Sequence, residues 1–201
     1  MSSHLQAEDR PFAAAIHHDG TTLVDAVLAD FAARQRLAGR RVLGLLMSHR
    51  ESAADCTAAR FLTDIDTGDE YLVSQPLGAG SNACSADPQG FAQASRVLRD
   101  ALVSRPDLVI SNRFGSLEAG NGGFAAELLA LLSEGIPVLT VVSTRHLEAW
   151  RRFIGEAPML TNDPRTWALW FDGVMLRRHA LTTEAFAAAG GRWPARGAPG
   201  R

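Results

Sequence analysis

The sequence predicts an α/β fold, with a mostly parallel sheet between two layers of helices. Three observations support this prediction. Four short apolar runs, each as long as a buried strand, are spread along the chain. Segments with helical spacing of apolar residues separate these runs, and such alternation is typical of a parallel sheet covered on both faces. One further segment, residues 60–75, alternates as a β-hairpin and is expected at an edge of the sheet or projecting from it.

The four apolar runs are predicted to form adjacent, parallel strands because each is followed by a helix that can cross back over the sheet. The predicted strands are residues 11–16, 41–47, 107–111 and 136–142. The predicted helices are residues 22–38, 88–104, 122–134, 144–155 and 163–174.

Local signals support the ends of these helices. Leu23, Val27 and Phe31 share one face of the first helix, and a glycine follows its last turn. Asp87 is expected to cap the second helix, with Pro88 in its first turn. Thr144 is expected to cap the helix at 144–155.

Length and composition indicate one globular domain. The chain has 201 residues, of which 46% are hydrophobic and 21% are charged. We expect residues 11–175 to form a single domain. Residues 1–10 are polar and are expected to be a disordered start. Residues 176–201 end in an Ala/Gly/Pro/Arg-rich stretch and are expected to be a partly disordered tail.

Charge and residue usage exclude several functions. The net charge is −2 with a pI near 6.3, and no basic stripe is present, so a nucleic-acid partner is not expected. No apolar run is long enough to span a membrane and the N-terminus has no signal core, so a cytoplasmic protein without a membrane partner is expected. All 20 basic residues are arginine, which excludes a catalytic Schiff-base or phosphate-binding lysine.

Unusual residues cluster where predicted strands end, which is where α/β folds bind ligands. The first turn reads "IHHDGTT", and His17, His18, Asp19, Gly20, Thr21 and Thr22 are candidate ligand-binding residues. A P-loop would read G-x-x-x-x-G-K-[ST] here, but Thr21 replaces the lysine and the first glycine is absent. The helix start still favours an anion. The alternative is an ordinary capped helix.

A second candidate is the loop "LGAGSNACSAD", whose glycines could turn backbone N–H groups toward an anion. Its candidate binding residues are Gly78, Gly80, Ser81 and Asn82. The alternative is a flexible connector between the hairpin and the next helix.

The third candidate follows the strand predicted to end at Ser111. The loop "SNRFGSLEAGNGG" contributes Asn112, Arg113, Gly115 and Glu118. The planar guanidinium of Arg113 can bind an oxyanion with two hydrogen bonds. The alternative is a surface arginine paired with Glu118. Arg145, next to His146, is a further candidate at the end of the fourth strand.

The two cysteines, Cys56 and Cys84, lie in loops that leave the two ends of the predicted hairpin. Pairing of the hairpin strands is therefore expected to bring them closer together than their sequence separation requires. A metal site or thiol pair is one reading. The spacing does not match the usual C-x₂-C, so two inert buried cysteines are the alternative.

The stretches "PDLVISNRFGSLEAGNGGF" and "GIPVLTVVSTRHLEAWRRFIG" resemble a bacterial family of domains of unknown function that is often encoded near molybdate-transport genes. The resemblance covers residues 11–172. That family is in turn similar to small P-loop nucleoside-triphosphatases, which implies a P-loop-NTPase-like fold. The metal-holding Asp-Glu pair of those enzymes falls on Ser111 and Asn112. Members commonly carry a second lysine-type cation where this chain has Ser116.

These observations favour a protein that binds a small anion or nucleotide on a P-loop-like scaffold with degenerate motifs. Candidate ligands are molybdate, a phosphate ester or a nucleotide, and efficient nucleoside-triphosphate hydrolysis is not expected. One alternative is an enzyme with a non-standard site, in which Arg113 or Arg145 stabilises charge and His17, His18 or Asp19 acts as the base. Another is a subunit that binds only a protein partner, including a second copy of the chain.

Overall fold

A computed structural model describes residues 12–19, 24–50, 59–76 and 84–188. Within these residues a seven-stranded sheet has the order β4-β3-β2-β7-β8-β1-β9, and β5 pairs with β6 in a separate two-stranded sheet. The strands are β1 (Ala13–His18), β2 (Val42–Arg50), β3 (Ala59–Asp64), β4 (Glu70–Leu72), β5 (Ser74–Pro76), β6 (Cys84–Ala86), β7 (Leu108–Phe114), β8 (Val138–Ser143) and β9 (Met159–Leu160).

The centre of the sheet is parallel. Strand β7 pairs in parallel with β2 on one side and with β8 on the other, and β8 pairs in parallel with β1. The four predicted strands are therefore adjacent and parallel, as the sequence indicates. The predicted hairpin is β3–β4, which extends the sheet antiparallel to β2 at one edge. Because β3 runs opposite to β2, it begins at the edge where β2 ends.

Helices cover both faces of the sheet. They are α1 (Val24–Leu37), α2 (Pro88–Ser104), α3 (Ser116–Ala119), α4 (Ala125–Ser133), α5 (Leu147–Ile154) and α6 (Pro164–Ala188), with a 3₁₀ turn at Thr144–His146 before α5. Buried residues of α1 and α6 pack on one face, and those of α2, α4 and α5 pack on the other. None of the described helices combines the length and apolarity needed to cross a membrane.

Alternation along the central strands produces these two cores. In β1, Ala13 and Ala15 face the core under α2 and α4, whereas Ala14 and Ile16 face the core under α1 and α6. All four residues are fully buried. A strand buried on both faces must be apolar throughout, which is why these strands appear in the sequence as continuous apolar runs.

Gly44 allows β2 and β7 to lie side by side. Its φ is +117°, and a Cβ at this position would collide with the carbonyl oxygen of Ile110 on β7. Only glycine adopts this backbone conformation readily without such a collision. The pairing of β2, which carries the hairpin, with the central strand β7 therefore depends on Gly44.

Strand β7 is longer than predicted, and the prediction that it ends at Ser111 is wrong. It continues through the polar Ser-Asn-Arg segment to Phe114, which pairs with Val142 of β8 after an irregularity in register. The Phe114 ring packs against Trp150 and Phe153 of α5, with centroids 5.2 Å apart in each case. This aromatic packing stabilises the strand conformation of the polar segment.

Two predictions about helices also need correction. The helix predicted at 163–174 is α6, which continues to Ala188, so helix replaces the first part of the predicted tail. Thr144 does not cap α5, because residues 144–146 form a 3₁₀ turn without a side-chain cap. The predicted cap at Asp87 is confirmed: its carboxylate accepts from the backbone N–H groups of Gln89 and Gly90.

Candidate functional site

A cavity of about 720 Å³ opens at the edge of the sheet where the parallel strands end. The ends of β1, β7 and β8 contribute to it, and so does the start of the antiparallel strand β3. This edge is the usual ligand position in α/β folds. The volume of the cavity lies within the range of small-molecule pockets, roughly 300–1,000 Å³.

Three arginines from separate elements line the cavity. Arg113 lies near the end of β7, Arg145 follows β8, and Arg60 lies at the start of β3. Asp19 and Glu118 are the acids in the described lining. The topology explains why Arg60 is present, since antiparallel pairing places it opposite His49 at the end of β2.

Arg113 is held by an acid on α1. Its guanidinium donates to Asp25 at 2.6 Å, and Asn112 donates through Nδ2 to the other carboxylate oxygen at 2.8 Å. Asn112 is only 1% exposed. Its Oδ1 and the Arg113 Nε–H are buried and have no hydrogen-bond partner among the described residues. The site therefore presents one unsatisfied acceptor and one unsatisfied donor, which is uncommon for buried polar groups.

Glu118 lines the cavity and also binds the backbone of the loop after β7. Its carboxylate accepts from the backbone N–H of Gly115 at 2.9 Å and of Phe124 at 3.1 Å, and the residue is only 4% exposed. The alternative pairing of Glu118 with Arg113 is wrong, since the structure pairs Arg113 with Asp25. Glu118 instead holds the loop after β7 in shape.

His146 bridges two strand ends at the cavity. Its Nε2 lies 3.1 Å from the hydroxyl of Ser116, and its Nδ1 lies 3.1 Å from the hydroxyl of Ser143. Burial lowers the pKa of His146 below its ordinary value of 6.5, and the neighbouring positive charge of Arg145 lowers it further. The imidazole is therefore neutral at physiological pH.

The two histidines after β1 are placed differently. His18 lines the cavity, and burial followed by the charge of Arg113 lowers its pKa. His17 lies beside the cavity and its Nε2 is 3.0 Å from the Thr144 hydroxyl, which does line it. This contact ties the end of β1 to the turn after β8.

Much of the cavity lining is apolar. The apolar side chains come from the sheet, the hairpin and the helices: Met47, Leu62, Val73, Phe91, Phe114, Leu117 and Phe124. An apolar lining with a few charged and polar groups is the usual composition of a site for a small organic molecule.

The chain also matches a protein family over residues 13–170, and that family is described as "Protein of unknown function (DUF2478)". The chain belongs to the DUF2478 family. The match begins with β1 and ends within α6, so it spans the whole sheet and the cavity residues of this DUF2478 protein.

Two known proteins are similar to this DUF2478 chain. The "Molybdenum import ATP-binding protein ModC 2" of Bradyrhizobium diazoefficiens is 37% identical over 132 residues, which is 66% of this chain. The chain spans only 15% of the length of that relative. The solution structure of a human cancer-related nucleoside triphosphatase has a TM-score of 0.58 at 15% identity, covering 82% of this chain and 96% of that one. The fold of this chain is thus similar to that of a nucleoside triphosphatase.

Several candidate residues from the sequence meet in the cavity of this DUF2478 protein. His18, Asp19, Asn112, Arg113, Gly115, Glu118 and Arg145 line it. Gly20, Thr21, Thr22, Gly78, Gly80, Ser81, Asn82 and Cys56 lie outside the described residues. Cys84 begins β6 opposite Pro76, but its side chain is not described. The predicted approach of the two cysteines therefore stays a prediction. Within the described part of the chain, no three potential metal ligands cluster.

Sequence reasoning missed Arg60, Asp25 and Ser116. Arg60 was not singled out because its predicted hairpin had no visible link to the strand ends. Asp25 is the third residue after Thr22, in the first turn of a predicted helix, so a search for acids facing Arg113 could have found it.

Proposed function

We propose that the cavity binds an organic anion, a phosphate ester or a nucleotide, rather than a bare oxoanion. The observation that carries the proposal is that Arg60, Arg113 and Arg145 line the same cavity, together with several apolar side chains. Guanidinium groups bind phosphate and carboxylate oxygens with two parallel hydrogen bonds.

Two of the three arginines that line this cavity have no ion-pair partner among the described residues. Arg113 pairs with Asp25, but Arg60 and Arg145 form no ion pair with any residue in the described ranges. The lowered pKa values of His18 and His146 keep both imidazoles neutral at physiological pH. These rings therefore offer hydrogen bonds without adding charge. Arg60 and Arg145 are therefore available for an anionic group, and Arg113 still has an Nε–H without a hydrogen-bond partner among the described residues.

The size of the cavity favours a ligand with an organic body. A water molecule takes roughly 30 Å³ in the liquid, so an oxoanion of five heavy atoms would fill only a small part of about 720 Å³. Most of the apolar side chains that line the cavity would then face water. The unsatisfied Asn112 Oδ1 also suits a hydroxyl or amino donor, which phosphate esters of sugars carry and fully ionised molybdate does not.

A role in molybdenum metabolism is a finer proposal. It is supported by the name of one relative, of which this chain spans a small fraction. Efficient phosphoryl transfer is not part of the proposal. That chemistry depends on electrostatic clamping of the phosphates, and this chain has no lysine and carries Ser111-Asn112 at its central strand.

Isothermal titration calorimetry tests the proposal with inorganic phosphate, molybdate, phenyl phosphate, AMP and ATP as probes. Phenyl phosphate or a nucleotide should bind at least about tenfold more tightly than inorganic phosphate, because a buried ring contributes roughly 1.5–3 kcal/mol. Arg145→Ala should weaken binding by about 1.5–3 kcal/mol, the range for a hydrogen bond to a charged group. Arg113→Ala is a poorer test, since it also removes the hydrogen bond from Arg113 to Asp25.

The matched control is Arg152→Ala, which removes an exposed arginine of α5 outside the cavity. It should bind every probe as the wild type does. Binding of none of these probes, or equal losses in the Arg145 and Arg152 variants, would contradict the proposal and favour a subunit that binds only a protein partner.

A further inference from the structure

The hydroxyl of Ser116, the imidazole of His146 and the hydroxyl of Ser143 form a continuous chain of hydrogen bonds inside the cavity. Both contacts are 3.1 Å, and all three residues line the cavity wall. A nucleophile within reach of a base, with a third group that orients the base, is the arrangement by which serine hydrolases activate a hydroxyl. The three residues come from two different strand ends, so the fold creates the arrangement.

We propose that Ser116 is a nucleophile activated by His146, and that the cavity hydrolyses a carboxylic ester of an anionic substrate. The ester class follows from what the site contains. Acyl transfer needs a nucleophile, a base and donors for the developing oxyanion, and no metal cluster. Arginines in the same cavity supply donors for the oxyanion and for the charged group of the substrate.

The state of His146 suits a general base. Ser143 can accept a hydrogen bond from Nδ1–H, which leaves Nε2 unprotonated toward Ser116. Burial keeps the pKa of His146 below 6.5, and Arg145 acts in the same direction whereas Glu118 opposes it. A neutral imidazole that faces a hydroxyl can take its proton.

The reaction is balanced without a cofactor. Ser116 Oγ bonds to the carbonyl carbon of the ester while His146 Nε2 takes the hydroxyl proton. The bond from carbon to the alcohol oxygen then breaks, and the alcohol leaves with that proton. Water attacks the acyl-serine and gives a proton to Nε2, which returns it to Ser116 Oγ as the carboxylic acid departs.

The test is covalent labelling of the full chain with a fluorophosphonate probe, followed by peptide mass spectrometry. In this step Ser116 Oγ bonds to phosphorus, fluoride leaves and His146 takes the proton. We expect one label per chain, on Ser116, and none on Ser116→Ala. His146→Gln should slow labelling by at least about 100-fold, the usual contribution of a general base.

Ser143 is a positioning residue and needs its own readout. Ser143→Ala should label at a rate between those of wild type and His146→Gln, and Ser143→Thr should restore the wild-type rate because it keeps the hydroxyl. The wild-type rate should rise with pH with a midpoint below pH 6.5, because the pKa of His146 is lowered from its ordinary value.

The control is Ser133→Ala, which removes a serine hydroxyl at the end of α4, outside the cavity. It should label as the wild type does. Label on another residue, such as Thr144 beside His17, would overturn the assignment, and so would the absence of labelling in protein that circular dichroism shows to be folded. The probe carries no anionic group, so this result is independent of the anion-binding titrations.

Discussion

At the scale of single residues, Glu118 determines the shape of the loop that follows β7. Its carboxylate accepts hydrogen bonds from the backbone N–H groups of Gly115 and Phe124, with N···O distances of 2.9 and 3.1 Å, and the residue is buried. Gly123 makes room for it, since a Cβ there would collide with the carboxylate. The loop carries Ser116 and borders Arg113, so Glu118 supports the shape of the cavity that it also lines.

Glu118→Ala should therefore lower the free energy of unfolding by at least about 2 kcal/mol, because the buried N–H of Phe124 and the partly buried N–H of Gly115 lose their acceptor at roughly 1–3 kcal/mol each. Urea denaturation measures this loss. Glu148→Ala is the control: it breaks an exposed ion pair with Arg151, and such pairs contribute about 0–1 kcal/mol. Equal losses in the two variants would contradict the role assigned to Glu118.

The sequence indicated some of these residues but not their partners. Arg113 stands out as a cation at a strand end, yet its partner Asp25 lies 88 positions earlier in the chain. Glu118 is near Arg113 in sequence, which made an ion pair between them plausible. In the structure the Glu118 side chain instead binds the backbone of its own loop. No pattern in the local sequence predicts this orientation. Pairings of this kind depend on tertiary structure.

At the scale of elements, the junction between β2 and β7 depends on close backbone approach at Gly44. Gly44→Ala should destabilise the protein by more than about 2 kcal/mol, since it adds both backbone strain and overpacking. Gly173→Ala makes the same change within α6, where the added methyl meets nothing within 4 Å. It should be neutral or stabilise by up to about 1 kcal/mol.

Thermal or urea unfolding of both glycine variants gives the comparison. A Gly44→Ala protein as stable as wild type would mean that β2 and β7 do not approach as closely as described. Loss of stability in Gly173→Ala would instead point to strain along α6.

The elements that sequence analysis placed well are those with strong periodicity and caps. Strands buried on both faces and the Asp87–Pro88 helix start have local signals that tertiary contacts reinforce. The end of β7 has no such signal, because its polar residues interrupt the apolar pattern. The strand continues because of tertiary contacts, namely the pairing of Phe114 with Val142 of β8 and its packing on α5. The extension of α6 was missed because the Asp172-Gly173 pair looks like a helix end in sequence.

At the scale of the whole molecule, the topology brings distant segments to one edge of the sheet. Arg113 and Arg145 lie there because the parallel strands β7 and β8 end at this edge. Arg60 lies there because β3 is antiparallel to β2 and therefore begins at the same edge. The fold class was predictable from the order of strands and helices. The contribution of the hairpin to the cavity was not, because it depends on which edge strand the hairpin joins.

The central claim is that these three arginines bind the anionic group of a ligand. NMR of the arginine Nε–Hε groups during titration with phenyl phosphate tests it most directly, with single Arg→Ala variants to assign the signals among the 20 arginines. We predict that the signals of Arg60, Arg113 and Arg145 move together and saturate at one ligand per chain, while that of Arg152 stays fixed. Movement of other arginine signals without these three, or of none, would contradict the claim.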